Sequence, residues 1–347
     1  MARNIIVPST FEGSFYDENS IVPSEDSFRT DGGSGSFEWW YFDAKFIDGS
    51  TLVIVFSTKS LLKQNGQLNP GVSLTITYPN GKKISKFSRF PSNQFFASKD
   101  ICDVHIGPNW VSGDLYHYQI HIDLDDLIAD LTLFGLVPPW RPGTGKVYFE
   151  DTQHYFAWLL PIPHGILEGS VTYNGQVQYV KGTCYHDHNW GNIKLNKVMN
   201  SWIWGRTHIG TYTLIFVEQI AAKRYGFQRI PIFLLANGDQ IITGDASKLR
   251  ADINDYTHHS VGREYPRKID LLWQKGADSI RISIREPQVI EAVDRLNFLP
   301  KWQRSLLHFV IRPCYFRFSA NLELAIDLGS IKATESGDAL YELMYFR

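Results

Sequence analysis

Apolar and polar residues alternate with a period of two along most of the chain, and Gly, Asn and Asp clusters cut the alternation into short segments. Such a pattern predicts half-buried strands joined by tight turns. Trp39 to Ile47 and Thr51 to Ser57 flank Asp48-Gly49, and Val72 to Tyr78 and Lys83 to Phe90 flank Asn80-Gly81, two strong hairpin signals. Trp110 to Ser112, Tyr116 to Asp123 and Leu127 to Phe134 read as a meander, with Tyr118, Ile120, Ile122 and Leu124 marking its buried face. An aromatic strand, Glu150 to Leu160, precedes a hairpin from Gly169 to Val180 around Asn174-Gly175.

The second half repeats the style. Trp202 to His208 and Tyr212 to Gln219 flank Gly210, and Ile232 to Ala236 and Gln240 to Thr243 flank Asn237-Gly238-Asp239. Strands follow at Lys268 to Gln274, Ser279 to Glu286, Phe309 to Phe318, Ala320 to Asp327 and Ala339 to Phe346. Helix is scarce, and Asp294 to Leu307, interrupted by Pro300, is the best candidate. Leu136 to Gly145, with three prolines, is a loop that serves as a connection or a lid. Many short strands with Gly/Asn turns indicate an all-β barrel or sandwich.

Two stretches break the routine. Tyr185-His186-Asp187-His188-Asn189-Trp190 packs two imidazoles, a carboxylate, an amide, a phenol and an indole between Gly182 and Gly191. If it is extended, Tyr185, Asp187 and Asn189 share one face and His186, His188 and Trp190 the other. In Glu38-Trp39-Trp40-Tyr41-Phe42-Asp43, the same alternation separates Glu38, Trp40 and Phe42 from Trp39, Tyr41 and Asp43. Both faces of each strand must be covered, or one lines a cavity. Inward polar groups are costly unless hydrogen-bonded or used. The motif is therefore either a buried network that locks the fold or a reactive site.

These stretches together resemble the AttH/CrtC-like lipocalin-type family, which includes carotenoid 1,2-hydratases and secondary-metabolite cyclases, among them Diels–Alderases. The resemblance rests on Glu38 to Phe42, on Gly182, Asp187, His188, Trp190 and Gly191, on the pair Trp202 and Trp204, and on Gly337 to Phe346. It implies two lipocalin-like antiparallel β-barrel domains side by side, without a metal. Expected boundaries are an irregular lead-in over 1–35, an N-terminal barrel over 36–195 and a C-terminal barrel over 196–347. Leu195 to Ser201 forms the crossing between the barrels.

A net charge of -2 and the absence of a basic block argue against nucleic-acid binding and against adhesion to an anionic membrane. Ten Trp, 17 Tyr and 22 Phe suit β structure and a pocket for a large apolar or polyene ligand. Three cysteines without CxxC spacing argue against a disulfide scaffold. The first residues hold no apolar signal segment, and no run is long enough for a spanning helix, so a cytoplasmic protein is expected.

His186-x-His188 has a spacing that can bind zinc or iron, with His208 or His154 as a third ligand, but Asp187 points the opposite way and no metal is expected. Nucleotide-binding glycine motifs and a nucleophile elbow are absent, which leaves cofactor-free chemistry in an aromatic pocket. Protonation of an alkene needs an acid, for which Asp187 and Glu38 are candidates, with His186 or Asn189 holding a water for hydration. A pericyclic reaction needs a shaped cavity and a hydrogen-bond donor, from Tyr41, His188, Asn189 or Arg206. Trp39, Trp40, Tyr155, Trp158, Tyr185, Trp190, Trp202, Trp204, Arg206 and His208 are candidate pocket walls. The expected function is a cofactor-independent cyclase acting on a hydrophobic small molecule. Alternatives are a carotenoid-type hydratase and a non-catalytic carrier.

Overall fold

The computed structural model describes residues 4–6, 21–60, 64, 66–296 and 312–346. They form two units, Ile5–Lys194 and a second that runs from Leu195 to the C-terminus. Both are antiparallel and almost wholly β.

The N-terminal unit contains β1 (Ile5–Ile6), β2 (Phe37–Phe46), β3 (Thr51–Ser57), β4 (Gly71–Thr77), β5 (Lys83–Arg89), β6 (Phe95–Ala97) and β7 (Cys102–Ile106). It continues with β8 (Asn109–Gly113), β9 (His117–Leu124), β10 (Leu127–Gly135), β11 (Lys146–Phe149), β12 (Tyr155–Tyr173) and β13 (Gln176–Gly191). The strand path is β5-β4-β3-β2-β13-β12-β10-β9-β8-β7-β6, with β11 on β12 and β1 on β11. Ile84 at one end of this path and Val104 at the other lie in one core with Phe42, Ile54 and Ile120. The sheet therefore curls round its own apolar face, as a lipocalin-like barrel does.

The C-terminal unit contains α1 (Leu195–Val198), β14 (Met199–Ile209), β15 (Tyr212–Ala221), β16 (Arg229–Asn237), β17 (Gln240–Thr243), β18 (Leu249–His259), β19 (Arg263–Lys275), β20 (Asp278–Asp294), β21 (Cys314–Leu328) and β22 (Ile331–Tyr345). Its path is β17-β16-β15-β14-β22-β21-β20-β19-β18. Phe233 from one flank and Leu249 from the other share a core with Phe316 and Leu343, so this sheet curls too. No helix among the described residues is long and apolar enough to cross a membrane.

Turn chemistry accounts for the hairpins. Asn174 and Gly175, between β12 and β13, take φ of 51° and 76°, the left-handed pair that matches the twist of a two-residue hairpin. Gly182 is required by close packing instead, since a Cβ there would meet the Lys45 carbonyl oxygen at 2.1 Å. β12 carries Pro161 and Pro163, and its register against β13 shifts between Leu159 and Ile162 and again between Ile162 and Gly165. Proline cannot donate to a ladder and is accommodated at such bulges.

The structure departs from these expectations in places. The lead-in is not wholly irregular: β1 pairs with β11, and a 3-10 turn, Pro23–Asp26, buries Asp26 completely. β18, unforeseen, carries Asp252, Asn254 and Asp255, which dilute its apolar alternation. The helix expected from Asp294 lies largely outside the described residues, and Asp294 itself ends β20. Phe309 to Phe318 and Ala320 to Asp327 form one strand, β21, as far as described. The 136–145 loop is tied down. Trp140 bridges to Leu160 in both hydrogen-bond directions, and Arg141 Nε donates to Glu25 Oε2 at 2.6 Å.

Candidate functional site

In the antiparallel register of β2 and β13, Glu38 faces Trp190, Trp40 faces His188 and Phe42 faces His186. Trp39 faces Asn189, Tyr41 faces Asp187 and Asp43 faces Tyr185. Directly opposed residues project to the same side, so the motif divides into two clusters. Trp40 and Phe42 belong to the N-terminal core, which fixes the histidine side as the inner one.

The inner cluster is sealed. His186 and His188 are 0% exposed, as is Asp26 on the 3-10 turn. Asp26 Oδ2 accepts from the Tyr118 hydroxyl at 2.6 Å and lies 3.2 Å from His186 Nε2. His186 Nδ1 donates to the Tyr41 carbonyl at 2.9 Å. His188 Nε2 meets Glu38 Oε1 at 2.9 Å. Its Nδ1 lies 3.1 Å from Asp26 Oδ1, off hydrogen-bond alignment. Burial alone would raise the Asp26 carboxyl, but the His186 charge and hydrogen bond and the close approach of His188 outweigh it and hold the group below its ordinary value. Burial alone would lower His188, but its contacts with Asp26 and Glu38 outweigh it and raise the imidazole. Burial and the Asp26 charge push the Tyr118 phenol well up, which keeps it a donor.

Glu38 also accepts from the backbone N–H of Arg29 at 2.7 Å and of Thr30 at 2.9 Å, and from the Thr30 hydroxyl at 2.8 Å. Four donors thus converge on its two oxygens. The rings of Trp40 and Trp190 pack on His188 with centroids 4.6 and 4.7 Å away, and Phe42 stacks on His186 at 3.9 Å. Trp40, at 0% exposure, and Trp190, at 4%, are walls of this network. Among the described residues Glu38, His186, His188 and Trp40 are closed off from solvent.

Among the described residues, Asp26, Cys102 and His186 bring potential metal-ligand atoms within 4.8 Å of one another. Burial and the Asp26 charge push the Cys102 thiol well up. His154, considered above as a ligand, sits in an exposed turn against Asp151, and His208 lies on β14 in the C-terminal unit.

The outer cluster differs. Asp187 Oδ2 accepts from the Tyr185 hydroxyl at 2.7 Å and Oδ1 from Asn189 Nδ2 at 2.6 Å. The Tyr41 ring meets that of Tyr185 edge-on at 6.2 Å, and its hydroxyl lies 3.4 Å from Asp43 Oδ2. Trp158 and Trp39 flank Asn189 on the neighbouring strands. Asp187 and Asn189 are 6% exposed, and Trp39 and Tyr41 are half-buried. Tyr185 is 0% exposed, so the exposure on this side is mainly that of Trp39 and Tyr41. Tyr155 stands apart under the Lys146 ammonium, 4.6 Å from its ring centroid.

On β14, Ile203 and Ile209 point into the C-terminal core, so Trp202, Trp204, Arg206 and His208 line the opposite face. Trp202 meets Phe346 edge-on at 4.6 Å. His208 Nδ1 contacts the Thr213 hydroxyl at 3.0 Å, and partial burial together with the Arg206 charge holds His208 below its ordinary value. Trp204 sits beside Glu342, which faces Arg317 and accepts from the Tyr315 hydroxyl at 2.6 Å. Asp26, Tyr118, Arg317 and Glu342 did not emerge as site residues from the sequence. Asp26 stands in a polar segment without periodicity, and its partners lie far along the chain.

The fold and this motif define a lipocalin-type protein of the AttH/CrtC-like class. The chain belongs to the Svf1 family, whose profile matches residues 49–346. It is 28% identical over 216 residues to the hydroxyneurosporene dehydrogenase of Chlorobaculum tepidum, covering 52% of this chain and 56% of the relative. It is 28% identical over 231 residues to the quinolone epoxide rearrangement protein asqO of Emericella nidulans, covering 60% of each. The chain thus spans little more than half the length of these curated relatives. Among solved structures it superposes on CghA bound to Sch210972 with a TM-score of 0.64 and 13% identity, over 89% of this chain and 88% of CghA. An AttH protein from Nitrosomonas europaea gives 0.60 at 15% identity, over 97% and 98%. Kievitone hydratase from Nectria haematococca gives 0.56 at 15% identity, over 93% and 91%. At these identities the structures share the fold.

Proposed function

We propose that the chain is an enzyme that rearranges or cyclises a hydrophobic small molecule with its own acid–base side chains. The observation that carries this reading is the difference between the two faces of one motif. The histidine face is fully closed, whereas on the opposite face Tyr41 and Trp39 are half-buried and Asp187 and Asn189 keep 6% exposure, with Tyr185 buried behind them. Asp187 is the proton-transfer group. The Tyr185 hydroxyl and the Asn189 amide fix its two oxygens, and directional hydrogen bonds of this kind hold a reacting group in one orientation. Tyr41 supplies a donor that polarises a substrate oxygen. Trp39 and Trp158 offer π-faces on which a developing cation is stabilised. The similarity to the quinolone epoxide rearrangement protein supports an isomerising reaction over simple carriage.

The test is metabolite profiling by high-resolution mass in the source organism with and without the gene. An accumulating precursor of the same mass as the lost product supports rearrangement or cyclisation. A difference of one water assigns a hydratase instead. A fall in yield without any accumulating precursor assigns a carrier.

A further inference from the structure

The C-terminal unit contains a cavity of about 340 Å³ that the motif chemistry does not use. Ligand pockets span about 300–1,000 Å³, so this one suits a small molecule. It lies where the two flanks of the curled sheet face each other. One wall is two transverse rows on the inner face: Leu343, Ile203 and Glu218 in register, and Tyr345, Ser201 and Ile220 beside them. The other wall comes from β18 and β19, including Ala251 and Ile253.

Glu218 is the buried charged residue of this mixed lining, beside Arg229 and the exposed Asp252. It is 4% exposed, and its Oε1 accepts from Arg229 Nε. Its Oε2 is buried and meets no hydrogen-bond partner among the described residues. An unmet buried carboxylate oxygen costs free energy that a donor from a ligand would recover. Arg229 already balances the Glu218 charge, and the other carboxylate of the lining, Asp252, is exposed, so a cation brought to Glu218 Oε2 would stand beside the guanidinium, which a neutral hydroxyl does not oppose.

We infer that this cavity is a binding site for a neutral amphiphile with an apolar body and one hydroxyl, which donates to Glu218 Oε2. The site is separate from the Asp187 cluster and does not rest on that assignment.

The experiment titrates the full chain, with 13C-labelled isoleucine and leucine methyls, with 1-octanol, 1-methoxyoctane and octylammonium. Saturable shifts at Ile203, Ile220 and Leu343 with 1-octanol are expected. The ether, which has no donor, should bind about tenfold or more weakly, since hydrogen bonds to charged groups contribute at least that factor. Octylammonium should also bind more weakly than the alcohol. Glu218→Met should reduce octanol binding to the level of the ether, with folding checked in the same spectra. Ile220→Trp, which fills the cavity from its other row, should abolish the shifts and serves if Glu218→Met does not fold. Equal binding of ether and alcohol, preference for the ammonium, or no saturable shift up to the solubility limit of octanol would overturn the inference.

Discussion

Asp26 and His186 meet at 3.2 Å although 160 residues separate them in the chain. Their contact joins the 3-10 turn ahead of the first long strand to the last strand of the N-terminal unit. Asp26 also takes the Tyr118 hydroxyl and stands beside His188. Removing one partner of a buried ionic group costs about 3–5 kcal/mol. Asp26→Asn should therefore lower unfolding stability by about that amount. Urea denaturation checks this, and a loss below about 1 kcal/mol would remove the network from the stability account.

The same cluster sets a pH profile. Asp26 is held below its ordinary 3.8, so its contribution is present above that pH and is lost as the pH falls through the folded-state value. His188 is held above its ordinary 6.5, so its contribution is complete below 6.5 and is lost as the pH rises through the folded-state value. Stability supplied by the pair is greatest between these limits. In denaturation series from pH 3 to 9, His188→Gln should flatten the alkaline limb relative to the unaltered protein. Parallel limbs in the two proteins would contradict this.

The cysteines give a further check. Cys102, Cys184 and Cys314 are buried and in no disulfide. Burial and the Asp294 charge push the Cys314 thiol up to about 11, and Cys102 is also raised by burial. At pH 8 the folded protein should react slowly with a thiol-specific chromogenic reagent, and all three cysteines should react after denaturation. A rapid reaction of one native thiol would contradict the burial described here.

Gly182 lets β13 approach β2. A Cβ at this position would stand 2.1 Å from the Lys45 carbonyl oxygen, a backbone atom that cannot swing aside. Gly182→Ala should cost about 1–3 kcal/mol, the usual range for overpacking, and shift the thermal midpoint down. An unchanged midpoint would show that the strands separate without strain.

Much of this architecture is written in local chemistry. Asn174-Gly175 and Asn80-Gly81 signal hairpins because glycine, lacking a Cβ, takes the left-handed backbone of Gly175 and Gly81 without strain, and the strands around them follow. Period-two alternation also separates the two faces of the Tyr185–Trp190 stretch correctly. Which face turns inward is not local information. It depends on Asp26 and Tyr118, whose approach to the histidines requires the sheet to have closed. Glu38 looks like an available acid in sequence because Arg29 and Thr30, which saturate it, form no recognisable motif with it. Sequence alone also assigned Trp40 and Trp190 to a pocket, since an indole packed on a buried imidazole looks the same as one that awaits a ligand.

The central claim is that the Asp187 face performs chemistry while the histidine face holds the fold. Its most direct test compares Asp187→Asn with the unaltered protein in a strain lacking the gene, by product yield and by urea denaturation. The account predicts a folded protein with a stability loss smaller than that of Asp26→Asn, because the Asn189 amide or the Tyr185 hydroxyl can turn to accept from the new amide, and a product yield lower by at least about a hundredfold. Normal product from a folded Asp187→Asn protein would contradict it.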